Sequence, residues 1–249
     1  MKRVLLYFGV AVGFLTRLPV PRRSTGSPEM LGKAASLFPV VGLLVGGGAV
    51  GFDYLLSPYV NRNVVVVIVL IYLVAVTGGL HEDALADTAD GFGGGWEKER
   101  VLAIMRDSRL GSFGALAIML GLLARFVFLT SLPAKSFHGI LLAGQVLSRW
   151  TALPLGFFLP SALGDKGQGG LVAGKVSGIS LAVGTALAVA IVGVTLQVDA
   201  LWVLPASVAV TGISAAYYRR RIGSVTGDCM GATFQLTEVA VYFTGVLLQ

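Results

Sequence analysis

Residues 78–95 have the sequence GGLHEDALADTADGFGGG, a short polar stretch in an otherwise apolar chain. Glycines flank it on both sides, and between them lie five acidic or metal-capable side chains, His81, Glu82, Asp83, Asp87 and Asp90. The whole chain has a mean hydropathy of +0.82, so charged surface is scarce in the rest of the sequence. We therefore expect this stretch to be a functional site and not an ordinary solvated surface.

The composition indicates a membrane protein. Of the 249 residues, 55% are hydrophobic and only 13% are charged, whereas a soluble domain has about 25% charged residues. Long apolar runs recur along the chain, which predicts an all-α, polytopic helical bundle formed by one membrane-embedded domain, residues 1–249. Cys229 is the only cysteine, which excludes an intramolecular disulfide and a cysteine-based zinc cluster. The apolar amino terminus lacks a small-residue cleavage site, so we expect it to be retained.

The apolar runs predict about seven transmembrane helices and a short amino-terminal piece. That piece, Val4–Thr16, is shorter than the roughly 20 residues that cross a bilayer, so we expect an interfacial or re-entrant helix. Glycines recur in the first predicted span, and small residues let helices approach closely in lipid. The predicted spans are Ala34–Leu56, Val64–Val76, Ser112–Leu132, His138–Leu159, Ile179–Val198, Leu201–Tyr217 and Gly231–Leu248.

The basic residues predict the orientation. If residues 17–33 are cytoplasmic, the loops 81–111, 160–178 and 218–228 lie on the same side. These four segments carry thirteen lysines and arginines, whereas the opposite loops carry only Arg62 and Lys135. Basic residues concentrate in cytoplasmic loops, so the acidic stretch is predicted to face the cytoplasm. The thirteen are Arg17, Arg22, Arg23, Lys33, Lys98, Arg100, Arg106, Arg109, Lys166, Lys175, Arg219, Arg220 and Arg221. For the same reason we attribute the net charge of +6 to loops and not to nucleic-acid binding.

Asp83, Asp87 and Asp90 are spaced i, i+4 and i+7, which places them within about 60° on one face of a helix. Three carboxylates on one stripe repel each other, and a divalent cation removes this repulsion. Mg²⁺ prefers carboxylate oxygens and commonly bridges to substrate phosphates. The alternative is a solvated acidic helix face, although alanine, leucine and glycine fill the other positions.

His81 and Glu82 point away from the aspartate stripe on such a helix. His81 is a candidate metal ligand or phosphate donor, with a positioning or capping role as the alternative. Zinc is not expected, because the stretch has too many carboxylates for its one histidine.

Two further elements on the same predicted face carry candidate site residues. Arg106, Ser108 and Arg109 lie in MRDSRLGSFG, residues 105–114, and suit an anion such as pyrophosphate. The alternative is that Arg106 and Arg109 only contribute to the excess of basic residues in the cytoplasmic loops. Asp228 in GDCMGAT, residues 227–233, either caps the last helix or contributes to the same site.

Ionisable residues also fall inside the predicted spans, where they are costly and usually face a cavity or a partner. Arg149 with Ser148, and Glu238 with Gln235, are candidate liners of a polar substrate cavity. Internal pairing for packing is the alternative for both.

The motifs together resemble a known family. Residues 78–95, IMRDSRLGSFGALA (104–117) and GDCMGATFQLTE (227–238) resemble the cobalamin synthases, the adenosylcobinamide-GDP ribazoletransferases. FLTRLPVP (14–21) and FPVVGLLVG (38–46) extend the resemblance over nearly the whole chain. The chain has Ala84 where the family usually has glycine, and Glu82 where leucine is frequent, so the extra acid adds a candidate metal ligand.

The resemblance implies the last joining step of cobalamin assembly in the cytoplasmic (inner) membrane. The 3′-hydroxyl of α-ribazole, or of its 5′-phosphate, attacks the phosphate on the cobinamide arm of adenosylcobinamide-GDP, and GMP leaves. Mg²⁺ is the implied cofactor, held by Asp83, Asp87 and Asp90 with Glu82. One of the three aspartates, or Asp228, accepts the hydroxyl proton. The residues expected to bind substrate are His81, Arg106, Ser108, Arg109 and Arg149.

The expected partners are these two substrates and membrane lipid. The glycine-rich first span permits helix association. A homo-oligomer and association with other enzymes that act on corrinoids are therefore both open.

Three other functions compete with this interpretation. An aspartate-rich membrane prenyltransferase would be expected to carry a second aspartate-rich motif, which GDCMGAT matches poorly. The Asp87–Gly91 piece is also similar to CDP-alcohol phosphotransferases, but their pattern continues with Ala-Arg where this chain has Gly93-Gly94. A cation transporter would normally bind its ion near the bilayer midplane, whereas the acidic stretch is predicted to lie in a cytoplasmic loop.

Overall fold

The computed structural model describes residues 2–21, 28–162 and 172–249. These residues form twelve α-helices and no strand, which confirms the all-α prediction. Arg22, Arg23 and Lys166 of the charge count lie outside the described residues. The helices are α1 Lys2–Leu15, α2 Pro28–Ala34, α3 Phe38–Leu56, α4 Arg62–Thr77, α5 Leu80–Gly94, α6 Lys98–Met105, α7 Ser112–Ser131, α8 Ala134–Trp150, α9 Ala152–Phe158, α10 Gly178–Leu196, α11 Ala200–Ile222 and α12 Gly227–Leu247, with short 3-10 helices at Ala35–Leu37 and Gln197–Asp199.

The count of about seven spans is not confirmed. Among the described residues, three helical stretches are long and apolar enough to cross a membrane: Glu29–Leu56, Ser112–Ser131 and Gly178–Ile222. The pair α4 and α5 makes a fourth if it is counted as one bent span. α12 is 21 residues long, but polar residues such as Gln235 and Glu238 lower its hydropathy. The chain is nevertheless a membrane protein built of apolar helices.

The predicted span His138–Leu159 is two helices, because the chain breaks at Thr151 between α8 and α9. Pro154 explains the break. A proline ring clashes with the carbonyl four residues before it, here that of Trp150, whereas proline is tolerated in the first turn of a new helix. The amino-terminal piece is the 14-residue helix α1, which is shorter than the candidate spans. Its interfacial or re-entrant position stays a prediction.

The acidic stretch forms the helix α5, as its spacing predicted, and this helix packs into the bundle. Its position in a cytoplasmic segment between two spans stays a prediction. α4 and α5 meet at an angle of 84°. Gly78 and Gly79 make this bend with left-handed φ values of 69° and 73°, a conformation that costs glycine little. The N–H groups of the two glycines donate to the carbonyls of Ala75 and Val74 and close the end of α4. The bend turns α5 back toward the other helices.

α5 packs between α7 and α12, while α3 and α12 both pack on α8. Small residues allow the closest of these approaches. A Cβ atom on Gly231 of α12 would lie 2.5 Å from Cβ of Ala84 on α5, and one on Gly42 of α3 would collide with the backbone of α8 at Gln145. The glycines therefore bring α5 and α12, which carry the acidic residues, into direct contact.

Candidate active site

The three aspartates of the stripe lie on α5, as their spacing predicted, but their surroundings differ. Asp83 is exposed, Asp87 is half-buried and Asp90 is buried. The stripe thus runs from the surface of the bundle into the contact between α5 and α7. Only its outer part is open to a ligand.

Asp90 is bound to the amino terminus of α7. Its two carboxylate oxygens accept hydrogen bonds from the backbone N–H groups of Gly111, at 2.7 Å, and Gly114, at 2.8 Å. A carboxylate at a helix amino terminus satisfies otherwise unpaired N–H groups and is stabilised by the helix dipole. A Cβ on either glycine would collide with this carboxylate. Asp90 therefore fixes α7 against α5, and its predicted metal-binding and catalytic roles stay predictions.

Glu82 lies on another face of α5, as expected. Its Oε1 atom accepts hydrogen bonds from Nη2 of Arg125, at 3.0 Å, and from Nε2 of Gln235, at 2.9 Å. This places Glu82 in a buried ion-pair network and away from the three aspartates. Its predicted role as a metal ligand receives no support from this geometry.

Arg149, predicted to bind substrate, lies in the same network. Glu238 of α12 receives a hydrogen bond from Arg149 at 2.9 Å and another from Arg125 at 3.3 Å. Arg149 also donates to Oε1 of Gln145 at 2.6 Å. All three charged side chains are at most 2% exposed. Arg149 and Glu238 are therefore paired internally, which was the alternative to lining a substrate cavity. The network joins α5, α7, α8 and α12.

Asp228 lies in the first turn of α12 and does not cap it. The cap is Thr226, whose hydroxyl oxygen accepts from the N–H of Cys229 at 3.1 Å. The Asp228 side chain is left to face the stripe and lines one cavity together with Asp83 of α5. Two helices far apart in sequence therefore supply carboxylates to the same place.

The carboxylates around Asp87 raise its proton affinity. α5 lies outside the three helical stretches that are long and apolar enough to cross a membrane on their own. Burial, followed by the negative charges of Asp83, Asp228 and Asp90, raises the pKa of Asp87 from 3.8 to about 7. Within residues 2–21, 28–162 and 172–249, no arginine or lysine forms an ion pair with Asp83, Asp87 or Asp228 of the kind that Arg125 and Arg149 form with Glu82 and Glu238. The cluster thus has the unbalanced negative charge that a bound cation would neutralise.

The donor set fits Mg²⁺ only in part. Within the described residues, no three His, Cys, Asp or Glu side chains are arranged to hold a metal ion. Mg²⁺ usually takes one or two carboxylates and completes its octahedron with waters and substrate phosphates. Asp83 and Asp87, with Asp228 nearby, fit that pattern, whereas zinc or calcium would need a fuller protein shell.

A cavity of about 270 Å³ opens beside Asp83 and Asp228. His81 also lines it, is only 3% exposed and packs edge-on against the ring of Phe234 at 4.9 Å. Its Nε2 atom has no hydrogen-bond partner among the described residues. The other residues that line the cavity are Phe14, Leu15, Phe38, Leu80, Ala84, Ala152, Val172, Gly227, Met230, Gly231 and Phe234.

The aromatic wall of this cavity was missed from the sequence. Phe14, Phe38 and Phe234 come from α1, α3 and α12, and each is an ordinary apolar residue in its own segment. The only available signal was that Phe14 and Phe38 open two of the motifs shared with the cobalamin synthases. Their common wall arises only from the packing of the helices.

The arginines predicted to bind phosphate lie in the exposed loop between α6 and α7. Arg109 forms a fork of hydrogen bonds to Asp107, with Nε to Oδ1 at 3.0 Å, and this pairing lowers the pKa of Asp107 to about 2. Arg106 and Ser108 are exposed. The loop reaches the stripe through Gly111, which binds Asp90. The phosphate-binding roles of Arg106, Ser108 and Arg109 stay predictions.

Arg221 of α11 positions the end of α5. By sequence it was counted only as one of the basic residues of the cytoplasmic segments. Its Nη2 atom donates to the carbonyl of Gly95 at 2.7 Å and to that of Phe92 at 3.4 Å. A cation at a helix carboxyl terminus satisfies free carbonyls and interacts favourably with the dipole. Arg221 thereby holds the end of α5 that follows the aspartates.

Comparisons with known proteins concern the chain as a whole. No solved structure matches the chain. Curated relatives include the adenosylcobinamide-GDP ribazoletransferases of Shewanella halifaxensis, 37% identical over 99% of this chain and 96% of the relative, and of Shewanella amazonensis, 39% identical over 99% and 97%. The model of the cobalamin-5-phosphate synthase family matches residues 7–246. Because the match spans nearly the whole chain and includes every element of the acidic site, the chain belongs to the cobalamin-5-phosphate synthase family.

Proposed function

We propose that this protein is an adenosylcobinamide-GDP ribazoletransferase. It transfers the adenosylcobinamide phosphate group of adenosylcobinamide-GDP to the 3′-hydroxyl of α-ribazole or of its 5′-phosphate. The products are GMP and adenosylcobalamin or its 5′-phosphate. Family membership and the relatives' activity support this function. The observation in the structure that supports it best is the meeting of Asp83 and Asp228, from two helices, at one cavity beside Asp87.

The chemistry is a substitution at phosphorus. The ribose oxygen forms a bond to the phosphate on the cobinamide arm, the bond from that phosphorus to the bridging oxygen breaks, and GMP leaves with the bridging oxygen. The hydroxyl proton passes to a carboxylate. Little covalent chemistry is required of the protein, so catalysis depends on positioning and on offsetting negative charge.

We assign the carboxylates by their positions. Asp228 lines the cavity from α12 and accepts the proton of the attacking hydroxyl. Asp83 and Asp87, one helical turn apart on α5, would hold Mg²⁺. When bound, Mg²⁺ supplies positive charge to the pyrophosphate oxygens and lowers the repulsion between them and the carboxylates. Asp90 and Arg221 hold α5 in place at its far end.

We also propose that the protein lies in the inner membrane with this site toward the cytoplasm. The excess of basic residues in the segments on that side supports the orientation. Arg221, Arg106 and Arg109 belong to these segments and lie near the carboxyl end of α5 or the loop that binds Asp90. No observation favours the prenyltransferase, CDP-alcohol phosphotransferase or transporter alternatives, and the family match argues against them.

The test is GMP release by purified protein in lipid nanodiscs, given adenosylcobinamide-GDP and α-ribazole with and without Mg²⁺. We expect wild-type activity to require Mg²⁺. Asp87→Asn should raise the half-saturating Mg²⁺ concentration about tenfold or more, since even indirect partners of a metal change its affinity 10–100-fold. Asp228→Asn should instead lower kcat and leave the Mg²⁺ requirement unchanged.

The matched control is Asp199→Asn, in the 3-10 helix before α11, which should retain wild-type activity. Failure of the wild-type protein to release GMP would refute the function. Wild-type behaviour of both Asp87→Asn and Asp228→Asn would refute the assigned site alone.

A further inference from the structure

Phosphoryl transfer leaves most of the cavity unexplained. Among the described residues that line the cavity, only Asp83, Asp228 and His81 have polar side chains. Phe14, Phe38 and Phe234 supply aromatic side chains to the rest of the wall. A metal and a pyrophosphate need polar ligands and gain nothing from aromatic walls. The apolar part of the cavity therefore fits another portion of a substrate.

The size of the cavity restricts which portion this is. Pockets for small molecules usually measure about 300–1,000 Å³, so 270 Å³ suits a single ring system with a sugar attached. The corrin macrocycle and its side chains are far larger. Two portions of the proposed substrates are about this size and carry an aromatic base, the acceptor nucleoside and the guanosine of the donor. The edge of guanine carries several hydrogen-bonding groups, whereas the base of α-ribazole is mostly apolar, so the acceptor suits the apolar wall better.

His81 gives independent support for a ligand with polar atoms. Its side chain is buried, yet Nε2 has no partner in the described part of the chain. A buried polar atom without a partner costs about 1–3 kcal/mol, and such atoms in native proteins usually require an explanation. His81 lines the cavity and packs against Phe234. A ligand that carries both an aromatic ring and hydroxyl or ring-nitrogen atoms would contact both side chains.

We propose that this cavity is the acceptor subsite: the aromatic base of the nucleoside lies against Phe14, Phe38 and Phe234, and its ribose lies at Asp228 and Asp83. The proposal rests on the proposed function. Aromatic side chains bind flat bases through stacked or edge-on contacts. In this orientation the ribose hydroxyl is next to the carboxylate that accepts its proton, and the metal-binding carboxylates are on the adjacent turn of α5.

Ala152 determines the size of base that fits. It is 1% exposed and lines the cavity from the first turn of α9, so a larger side chain there would enter the space of the base. The base of α-ribazole carries two methyl groups that unsubstituted benzimidazole lacks. A pocket discriminates one methyl or methylene group by about 10–200-fold. Ala152→Val should therefore weaken binding of α-ribazole more than binding of benzimidazole riboside.

The experiment measures binding and kinetics separately. Binding of α-ribazole and of benzimidazole riboside to nanodisc-embedded protein is measured by calorimetry, without donor. KM for each acceptor and for adenosylcobinamide-GDP is then measured from GMP release. We expect Ala152→Val to raise Kd and KM for α-ribazole about tenfold, to affect the unmethylated acceptor less, and to leave KM for the donor unchanged. The control is Ala188→Val, a buried alanine of α10 outside the cavity.

A second variant covers the case in which Ala152→Val does not fold. Phe14→Leu removes an aromatic ring from a half-buried position and should weaken binding of both acceptors without changing KM for the donor. Unchanged acceptor affinity in the folded variants, or an effect on the donor alone, would overturn the subsite. If wild-type protein binds α-ribazole in this way but releases no GMP, the proposed function fails and the subsite stands.

Discussion

The buried ion-pair network gives a quantitative prediction for Glu238. Two guanidinium groups, those of Arg125 and Arg149, face the two carboxylates of Glu82 and Glu238, so the network is neutral as a whole. Glu238→Gln leaves one positive charge uncompensated among side chains that are almost fully buried. Removing one partner of a buried pair costs about 3–5 kcal/mol. We expect the apparent Tm of the variant to fall, and activity with it, because the network joins the two helices that carry Asp83 and Asp228.

The assay is thermal unfolding in nanodiscs. Unfolding is monitored by the fluorescence of a thiol probe, which reacts with the buried Cys229 only when the protein unfolds. Glu97→Gln, at an exposed position before α6, is the matched control and should unfold like the wild type. A triple change, Glu238→Leu with Arg149→Met and Gln145→Leu, removes a carboxylate together with a guanidinium and restores neutrality. It should be more stable than Glu238→Gln, since apolar replacement of a whole buried pair is often neutral or stabilising. A loss below about 1 kcal/mol in Glu238→Gln, the range of an exposed pair, would refute the reasoning.

Three further predictions concern α5 and the glycine bend that precedes it. Because the pKa of Asp87 is raised to about 7, protons compete with Mg²⁺ below that pH; between pH 8 and pH 6 the half-saturating Mg²⁺ concentration for GMP release should rise about tenfold, and Asp87→Asn should abolish this dependence. Asp90→Asn places the amide NH₂ of asparagine opposite one of the two N–H groups of α7, which then has no acceptor. The free energy of unfolding should fall by about 1–3 kcal/mol, measured as a lower Tm, and an unchanged Tm would contradict the capping role. Gly78→Ala forces a side chain to φ 69° against Arg17 and should destabilise by about 1–2 kcal/mol, whereas Gly47→Ala, with open space around it, should be neutral or slightly stabilising.

The helical character of the chain and the position of the acidic stripe were predictable because both depend on local sequence. Periodicity over a few residues placed Asp83, Asp87 and Asp90 on one face, and α5 has that geometry. The presence of Asp228 beside them was left open, since nothing local distinguishes a carboxylate that caps a helix from one that faces a neighbouring helix. The structure resolves this because Thr226 occupies the cap.

The number of crossings was harder to predict than the fold class. Hydropathy identifies apolar segments but contains no information about where a helix bends. Gly78 and Gly79 turn α5 by 84° from α4, and Pro154 divides α8 from α9. These local breaks change which segments are long enough to cross a bilayer.

The sequence by itself determined that this is an all-α membrane protein with a carboxylate stripe, because composition and helical period act over neighbouring residues. Only the tertiary structure decided which charges are free. Glu82 forms an ion pair with Arg125, and Arg149 forms one with Glu238, although these partners are distant in sequence. Asp90 accepts hydrogen bonds from Gly111 and Gly114. Asp83, Asp87 and Asp228 form no such ion pair in the described residues and lie beside the aromatic cavity. The physical reason is that a charge is neutralised by whichever group packing brings within about 3 Å, and separation along the chain does not reveal that distance.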